Sequence, residues 1–598
     1  MNPLVATVGC LVLYALGFFV YSRYLSRVFR LHPDRPTPAH TLNDGVDYVP
    51  TNRFVLFGHH YASITGLAPM LGPAVAVYWG WVPAMLWVVF GAVLIGCVHD
   101  FSALVVSVRA RGQSIGKVAE GVIGPRAKFL FLALIFFGIS LAMGVFVFVI
   151  ASLFTLSEKF DPGDFSASAT DFPSAVLPSG ALMVIAMIMG YLLYKKKFPL
   201  GPTTAVGFVL MLIFVWLGTI YPTLGFERDA WPGGVTWTTI LMSYAFLASV
   251  LPVWSLLQAR DFLNSLLLYV GLLVTYVGFF YLQPEFAAPA INHIPNPEGA
   301  DPAPPLFPFV FIVIACGAAS GFHGLVSSGT TAKQLGRETD ARFIAYGGMI
   351  GESLLGLLAV LACTAGFDSF KDWHETYPNW NAISAGLAAK LGAFISGSAK
   401  FIHSLGVDMN LAVGFVAVIV VSFALTTLDS ATRLLRFNIS EIGASVKLRF
   451  LSNRFLATAI AVAAIWFFAR YTIDGKPAGL ILWTLFGITN QLIAGLTLLA
   501  VTVYLRQRRR NCLVTALPAL FMLVSTFTAT ISKLTGFVEQ KQYLLLVVGS
   551  ILFVCGVWIV IESVLALCRG ERTDDDVIHF AGGEDSSSEP STESSPRV

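Results

Sequence analysis

Thr65-Gly66-Leu67-Ala68-Pro69-Met70-Leu71-Gly72-Pro73 interrupts an apolar span that runs from about residue 54 to 79. Proline lacks the amide donor and its ring clashes with the preceding turn, so this span is expected to divide into two half-helices. Ser249-Val250-Leu251-Pro252-Val253-Trp254 lies inside a second apolar span, residues 239 to 260, and predicts the same division there. Within a bilayer, broken backbone persists only where protein or a wet cavity satisfies the freed amides and carbonyls. Paired breaks in corresponding helices are the sequence mark of a transporter's binding site.

The composition places these spans in a membrane. Of 598 residues, 56% are hydrophobic and 12% charged, whereas a soluble chain is about 25% charged. Runs such as Leu130 to Leu153 and Leu544 to Leu567 exceed the roughly 20 residues that a bilayer core requires. By that criterion about 15 spans are predicted, an all-α integral membrane protein. The net charge of +3 is spread thinly, and no basic block suits nucleic acid. The seven cysteines (Cys10, Cys97, Cys316, Cys363, Cys512, Cys555 and Cys568) follow neither a disulfide framework nor a zinc spacing. HExxH, GxSxG, GxxxxGK[ST] and paired CxxC are all absent from the sequence, which leaves zinc proteolysis, serine hydrolysis, ATP-driven pumping and cluster redox without apparatus. The expectation is a non-enzyme without a cofactor.

Lys and Arg set the expected orientation. The segments holding Arg23 to Arg53, Arg109 to Lys128, Lys195 to Lys197, Lys333 to Arg342, Arg433 to Arg454 and Arg506 to Arg510 all fall on one side if the amino terminus is outside and the carboxyl terminus cytoplasmic. Residues 382 to 404, rich in Ala, Ser and Gly with Lys390, Lys400 and His403, read as an amphipathic helix on the outer surface. The two interrupted spans are the second and seventh, five apart, and so antiparallel. The expected organisation is an extra helix in 1–30, inverted repeats in 54–225 and 236–434 of LeuT-like five-plus-five type, about four further helices in 452–568, and a disordered cytoplasmic tail in 569–598. A seven-plus-seven repeat pairing 54–79 with 308–335 has the same parity and is the alternative.

Half-helices also supply chemistry. Amides at a helix start form the positive end of a dipole, and bind carboxylate without Lys or Arg. Thr65, Gly66, Leu67, Ala68, Pro69 and Gly72, with Ser249, Pro252 and Trp254, are therefore the candidate substrate residues. The run Ser320-Gly321-Phe322-His323-Gly324-Leu325-Val326-Ser327-Ser328-Gly329-Thr330-Thr331 offers either small-residue helix packing or hydroxyl ligands to an ion. Gly66, Ala68, Ser327 and Ser328 form a candidate Na⁺ set, with Thr330 and Thr331 one turn deeper. A charged residue at a helix centre costs about 2.5 to 3.5 kcal/mol by insertion scales, so His59, His60, Asp100, His323 and Glu352 are candidates for coupling to H⁺. Asp429 stands four residues before Arg433, a spacing that predicts a structural ion pair.

Asp44-Gly45, Asp47-Tyr48-Val49-Pro50-Thr51-Asn52, Phe57-Gly58-His59-His60, Ile64-Thr65-Gly66, Pro69 and Gly72-Pro73 resemble the signature of the carbon starvation protein A (CstA) family. His99-Asp100-Phe101, Ala248 to Trp254, Ser320 to Gly324, Ser327 to Thr331, Thr427-Leu428-Asp429 and Thr432-Arg433 extend that resemblance over most of residues 1 to 510. The resemblance implies a bacterial inner-membrane symporter of the amino acid, polyamine and organocation superfamily, importing pyruvate or peptides on carbon starvation with H⁺ or Na⁺. A nutrient sensor with a transporter fold, or an intramembrane enzyme, is the contrasting expectation. The sequence sets no oligomeric state.

Overall fold

The computed structural model describes residues 2–45, 47–158, 160, 170–252, 256–293, 303–384, 386–473, 476–477, 479–569, 573 and 575–578. Eleven helices there are long and apolar enough to cross a membrane, or twelve when one bent pair is taken as a single span. In chain order the helices are α1 (Pro3–Val28), the bent pair α2 (Arg53–Ile64) and α3 (Ala68–Trp79), α4 (Trp81–Arg109), α5 (Pro125–Phe154), α6 (Pro173–Leu193) and α7 (Leu200–Ile220). Then come α8 (Gly234–Val250), α9 (Leu257–Leu282), the fragments α10 (Leu306–Val313), α11 (Ala315–Ala318) and α12 (Gly321–Val326), and α13 (Glu338–Ala365). The chain continues through α14 (Leu387–His403), α15 (Met409–Ser445), α16 (Arg454–Arg470), α17 (Ile481–Gln507), α18 (Leu513–Glu539) and α19 (Tyr543–Arg569). Eleven or twelve helices thus reach the spanning length, fewer than the 15 spans expected: α8 and α16, at 17 residues each, and the fragmented 306–334 segment fall short of it.

The first break forms as the sequence predicts. Thr65 leaves the helix with extended backbone, and α3 restarts with Pro69 in its first turn, where a missing amide donor costs nothing. The two halves meet at 46°.

The second predicted break does not interrupt one span. Residue 250 ends α8, and residue 257 starts α9, a separate 26-residue span. Pro252 follows the end of a helix here instead of kinking one, because the apolar residues on either side belong to two helices, α8 and α9. The second interrupted element is 306–334. Ile314 leaves helical geometry between α10 and α11, and Ala319 and Ser320 are extended before α12. No proline marks this break. A π-helical stretch follows at Ser327–Thr331, a distortion that recurs at functional sites.

The packing has an internal correspondence. The half-helix α2 packs on α9, and α12 packs on α17; α3 lies on α13, and α11 on α4; α5 meets α16, and α8 meets α15. The long helices α5 and α15 pack on each other at the centre. Helix α14 is a correction to the expected surface helix: 12 of its 17 residues are buried, against α3, α9, α13 and α15. Its small residues permit this approach, since Gly397 lies against the Ala362 carbonyl of α13.

Candidate functional site

The first break is walled by the long central helices. A β-carbon at Gly66 would stand 2.6 Å from the Thr427 hydroxyl of α15 and 3.1 Å from the Phe146 ring of α5. One at Gly72 would stand 2.6 Å from the Val313 carbonyl, and the absent β-carbon of Gly317 leaves its backbone close to Pro69. The two interrupted elements therefore pack against each other. The hydroxyls of Thr65, Thr427 and Ser327 are buried without a protein partner, which is uncommon for buried polar atoms. At the second break, the Phe322 amide is already capped by Asn490 Oδ1 at 2.9 Å. At the first break, Pro69 has no amide proton and the Met70 and Leu71 amides donate to the Leu67 carbonyl at 3.2 and 3.0 Å, so any anion there meets the backbone of residues 66 to 68 and the nearby hydroxyls.

Around the breaks lie three buried clusters of ionisable groups. His59 Nδ1 is 2.9 Å from Asp261 Oδ2, which also accepts from Ser63 Oγ at 3.3 Å. His59 Nε2 and Asp261 Oδ1 have no further partner. In the second cluster, Asp100 joins two histidines: Oδ1 is 2.8 Å from His99 Nδ1 and Oδ2 is 2.8 Å from His323 Nδ1. His323 Nε2 in turn lies 2.8 Å from Glu352 Oε2 and 3.5 Å from Cys316 Sγ. The third cluster pairs Asp429 with Arg260, both sharing the Tyr244 hydroxyl.

The structure brings several predicted residues together and separates others. Thr65, Gly66, Leu67, Ala68, Pro69 and Gly72 surround one break, all buried. Ser249 and Pro252 are not part of it: they sit where α8 ends, and Ser249 faces Thr458 of α16 and Arg436 of α15. Trp254 lies outside the described residues. His60 Nδ1 bonds Thr331 Oγ1 at 2.9 Å, which ties α2 to the stretch after the second break. Of the hydroxyls predicted to hold Na⁺, Ser328 Oγ donates to the Gly324 carbonyl and accepts from the Ile115 amide, and Thr330 Oγ1 donates to the Val326 carbonyl. Thr427 is the hydroxyl that faces Gly66. The Asp429–Arg433 pair is also corrected: Arg433 donates to the Ala248 and Leu251 carbonyls, closing the end of α8, while Arg260 neutralises Asp429. Sequence reasoning missed Asp261, Arg260, Tyr244, Thr427 and Cys316 as site residues. A buried charge in a span demands a countercharge, and Arg260-Asp261 could have been flagged on that ground once α9 was recognised as a span.

A half-open cavity of about 230 Å³ approaches from the arginine-rich face, with Tyr48, Ser114, Ser328, Lys333, Asn438 and Glu441 in its wall. The same face is closed elsewhere by charge. Glu338 pairs with Arg35 and Arg109, and Asp576, from the segment after α19, pairs with Arg35 at 2.6 Å and with Arg510. Ile578 beside it is buried, its amide on the Arg109 carbonyl. Residues 573 and 575–578 are therefore docked where the sequence predicts disorder; most of the predicted tail lies outside the described residues.

The model of the family described as carbon starvation protein CstA matches residues 2–374 and 367–529. The chain is 33% identical over 588 residues to the peptide transporter CstA of Helicobacter pylori, covering 89% of this chain and 82% of that relative. It is 32% identical over 617 residues to the pyruvate/proton symporter BtsT of Escherichia coli, covering 91% and 83%. Among solved structures, a manganese transporter of Eremococcus coleocola aligns over 88% of this chain and 99% of its own at 13% identity and TM-score 0.46, a likeness too loose to assign an architecture.

Proposed function

The chain belongs to the carbon starvation protein CstA family, and from that premise we propose that it is a secondary transporter importing a small carboxylate-bearing nutrient, pyruvate or a short peptide, by ion-coupled symport. The observation that carries this reading is the bent helix α2–α3, whose break is enclosed by Thr427 and Phe146 and packed on a second interrupted element. In this reading the substrate carboxylate is held by the backbone amides of residues 66 to 68 and the unpartnered hydroxyls of Thr65 and Thr427. Pyruvate and peptides share that carboxylate. The names of the relatives, a peptide transporter and a pyruvate/proton symporter, support both substrates and favour H⁺.

The proton carrier in this reading is the His59–Asp261 pair. It links the half-helix α2 to α9, so its protonation can bias the angle at which α2 is held. The packing correspondence supports two inverted halves, residues 53–282 and 306–507, with α6 and α7 inserted in the first. The interrupted elements that open the halves are then seven spans apart, and hence antiparallel. This replaces the division at residue 236 expected from Pro252. Family membership supports placement in a bacterial inner membrane, and the charge bias supports a cytoplasmic arginine-rich face.

A Na⁺ reading rests on one observation, the Thr427 hydroxyl at Gly66. Uptake of pyruvate, dipeptides and amino acids into proteoliposomes, under separate H⁺ and Na⁺ gradients, tests the function. Proton coupling predicts accumulation driven by H⁺ alone and lost in Asp261→Asn. Drive by Na⁺ alone, lost in Thr427→Ala, would move coupling to the break, and no uptake under either gradient would overturn the transport reading.

A further inference from the structure

We propose that Cys316 Sγ, His323 Nε2 and the Glu352 carboxylate form a resident metal site of the zinc class, which clamps the fragment α11 and helix α12 to helix α13. Among the described residues this is the one group in which three such ligand atoms converge, all within 4.8 Å of one another and all buried.

The donor set suits the ion. Thiolate, imidazole and carboxylate are the ligands zinc takes, and three protein ligands with one open position is a recurrent arrangement. With Zn–S of about 2.3 Å and Zn–N of about 2.0 Å at tetrahedral angles, S and N should lie about 3.6 Å apart; Sγ and Nε2 are 3.5 Å apart. The Nε2 to Oε2 separation of 2.8 Å is about half an ångström short of the tetrahedral edge, a shift within reach of a glutamate side chain.

Two further observations point to an ion. The Glu352 carboxylate is buried and faces only the other two ligand groups, His323 Nε2 at 2.8 Å and the Cys316 thiol, with no further partner. With the His323 proton on Nδ1 and Cys316 as thiolate, that buried carboxylate has no donor, which is costly, and a cation between the three ligands supplies the partner. His323 is also held in the orientation a ligand needs. Its Nδ1 faces Asp100 Oδ2 at 2.8 Å, and a proton on Nδ1 leaves the Nε2 lone pair directed at the other two ligands. A carboxylate behind a ligating histidine is the usual support of such a site, and Asp100 is itself held by His99.

The consequence is structural. Cys316 lies before the second break and His323 after it, so an ion bound by both fixes the angle across Ala319 and Ser320, and Glu352 anchors it to α13. The site stands independently of the transported substrate.

The test uses the full chain purified in detergent and passed over a chelating resin, with first-row metals counted by mass spectrometry. About one tightly held ion per chain is expected, falling at least tenfold in Cys316→Ser and Glu352→Gln. To separate metal loss from misfolding, wild-type protein stripped by chelator is titrated with Co²⁺. A thiolate-to-cobalt absorption band is expected, absent in Cys316→Ser protein that elutes as a single species. A wild-type chain with no stoichiometric metal and no cobalt band overturns the proposal. No step measures uptake, so this result and the transport result fail separately.

Discussion

Gly66 has the Thr427 hydroxyl where its β-carbon would stand, and Gly72 has a backbone carbonyl there. The two glycines should therefore fail differently. A hydroxyl on a side chain can turn away, so Gly66→Ala should fold, yet lose substrate binding by tenfold or more, as measured on purified protein. A carbonyl in a helix cannot, so Gly72→Ala should lower the thermal midpoint in detergent before any binding is assayed. The charged residues divide in the same way. Asp429→Asn leaves the buried Arg260 guanidinium without its counterion, a loss of about 3 to 5 kcal/mol for a broken buried pair. Arg433→Ala removes hydrogen bonds to two carbonyls and should cost less, about 1.5 to 3 kcal/mol. Thermal unfolding of the two variants gives the order, and equal destabilisation would restore the Asp429–Arg433 pair. His59 and Glu352 were legible in the sequence because burying a titratable group in a span is costly. Their partners were not, because Asp261 lies 202 residues from His59 and no local spacing relates them.

Proline made one break visible and misplaced the other. The α2–α3 bend follows from Pro69, Gly66 and Gly72 together, and the structure forms it at the residues expected. Pro252 carries the same signal but acts at the end of a helix, where two apolar stretches abut and no length argument divides them. The 306–334 break arises from Gly317, Ser320 and Gly321, small residues that sequence reasoning reads equally well as helix-packing surface. Its stabilising cap, Asn490, comes from α17 and has no signature near the break. Helix α14 was misread for a related reason. Its charges Lys390 and Lys400 suggested a surface helix, but their ammonium groups reach the Thr376 and Gly366 carbonyls while 12 of the helix's 17 residues are buried. A cysteine at Ser398 should then resist a membrane-impermeant maleimide in intact cells, whereas one at His403 should react. Reaction at both positions would return α14 to the surface.

At the scale of the whole molecule, the membrane class and the family were legible from composition and motifs, but the count of about 15 spans exceeded the 11 or 12 helices that are long enough to cross. The pairing of helices was not legible, because it depends on which of 15 apolar faces meet. The contacts across the arginine-rich face were also invisible, since Arg35, Arg109, Glu338, Arg510 and Asp576 come from five distant segments. Deleting residues 570–598 should lower the thermal midpoint, and a chain ending at residue 578 should recover it, with Asp576→Ala cancelling the recovery. An unchanged midpoint in the shorter chain would show that the docked segment adds nothing to stability.

That segment also has a meaning for biosynthesis. Arg35, Arg109 and Arg510 are all made before Asp576, so in a chain still emerging from the ribosome Arg35 and Arg109 share Glu338 while Arg510 beside them has no carboxylate. Their mutual repulsion is relieved only when the last of these residues arrives. The face is thereby left loose until synthesis has passed the final helix, and a product truncated earlier would carry an unneutralised positive rim by which a protease or chaperone could tell it from a finished one.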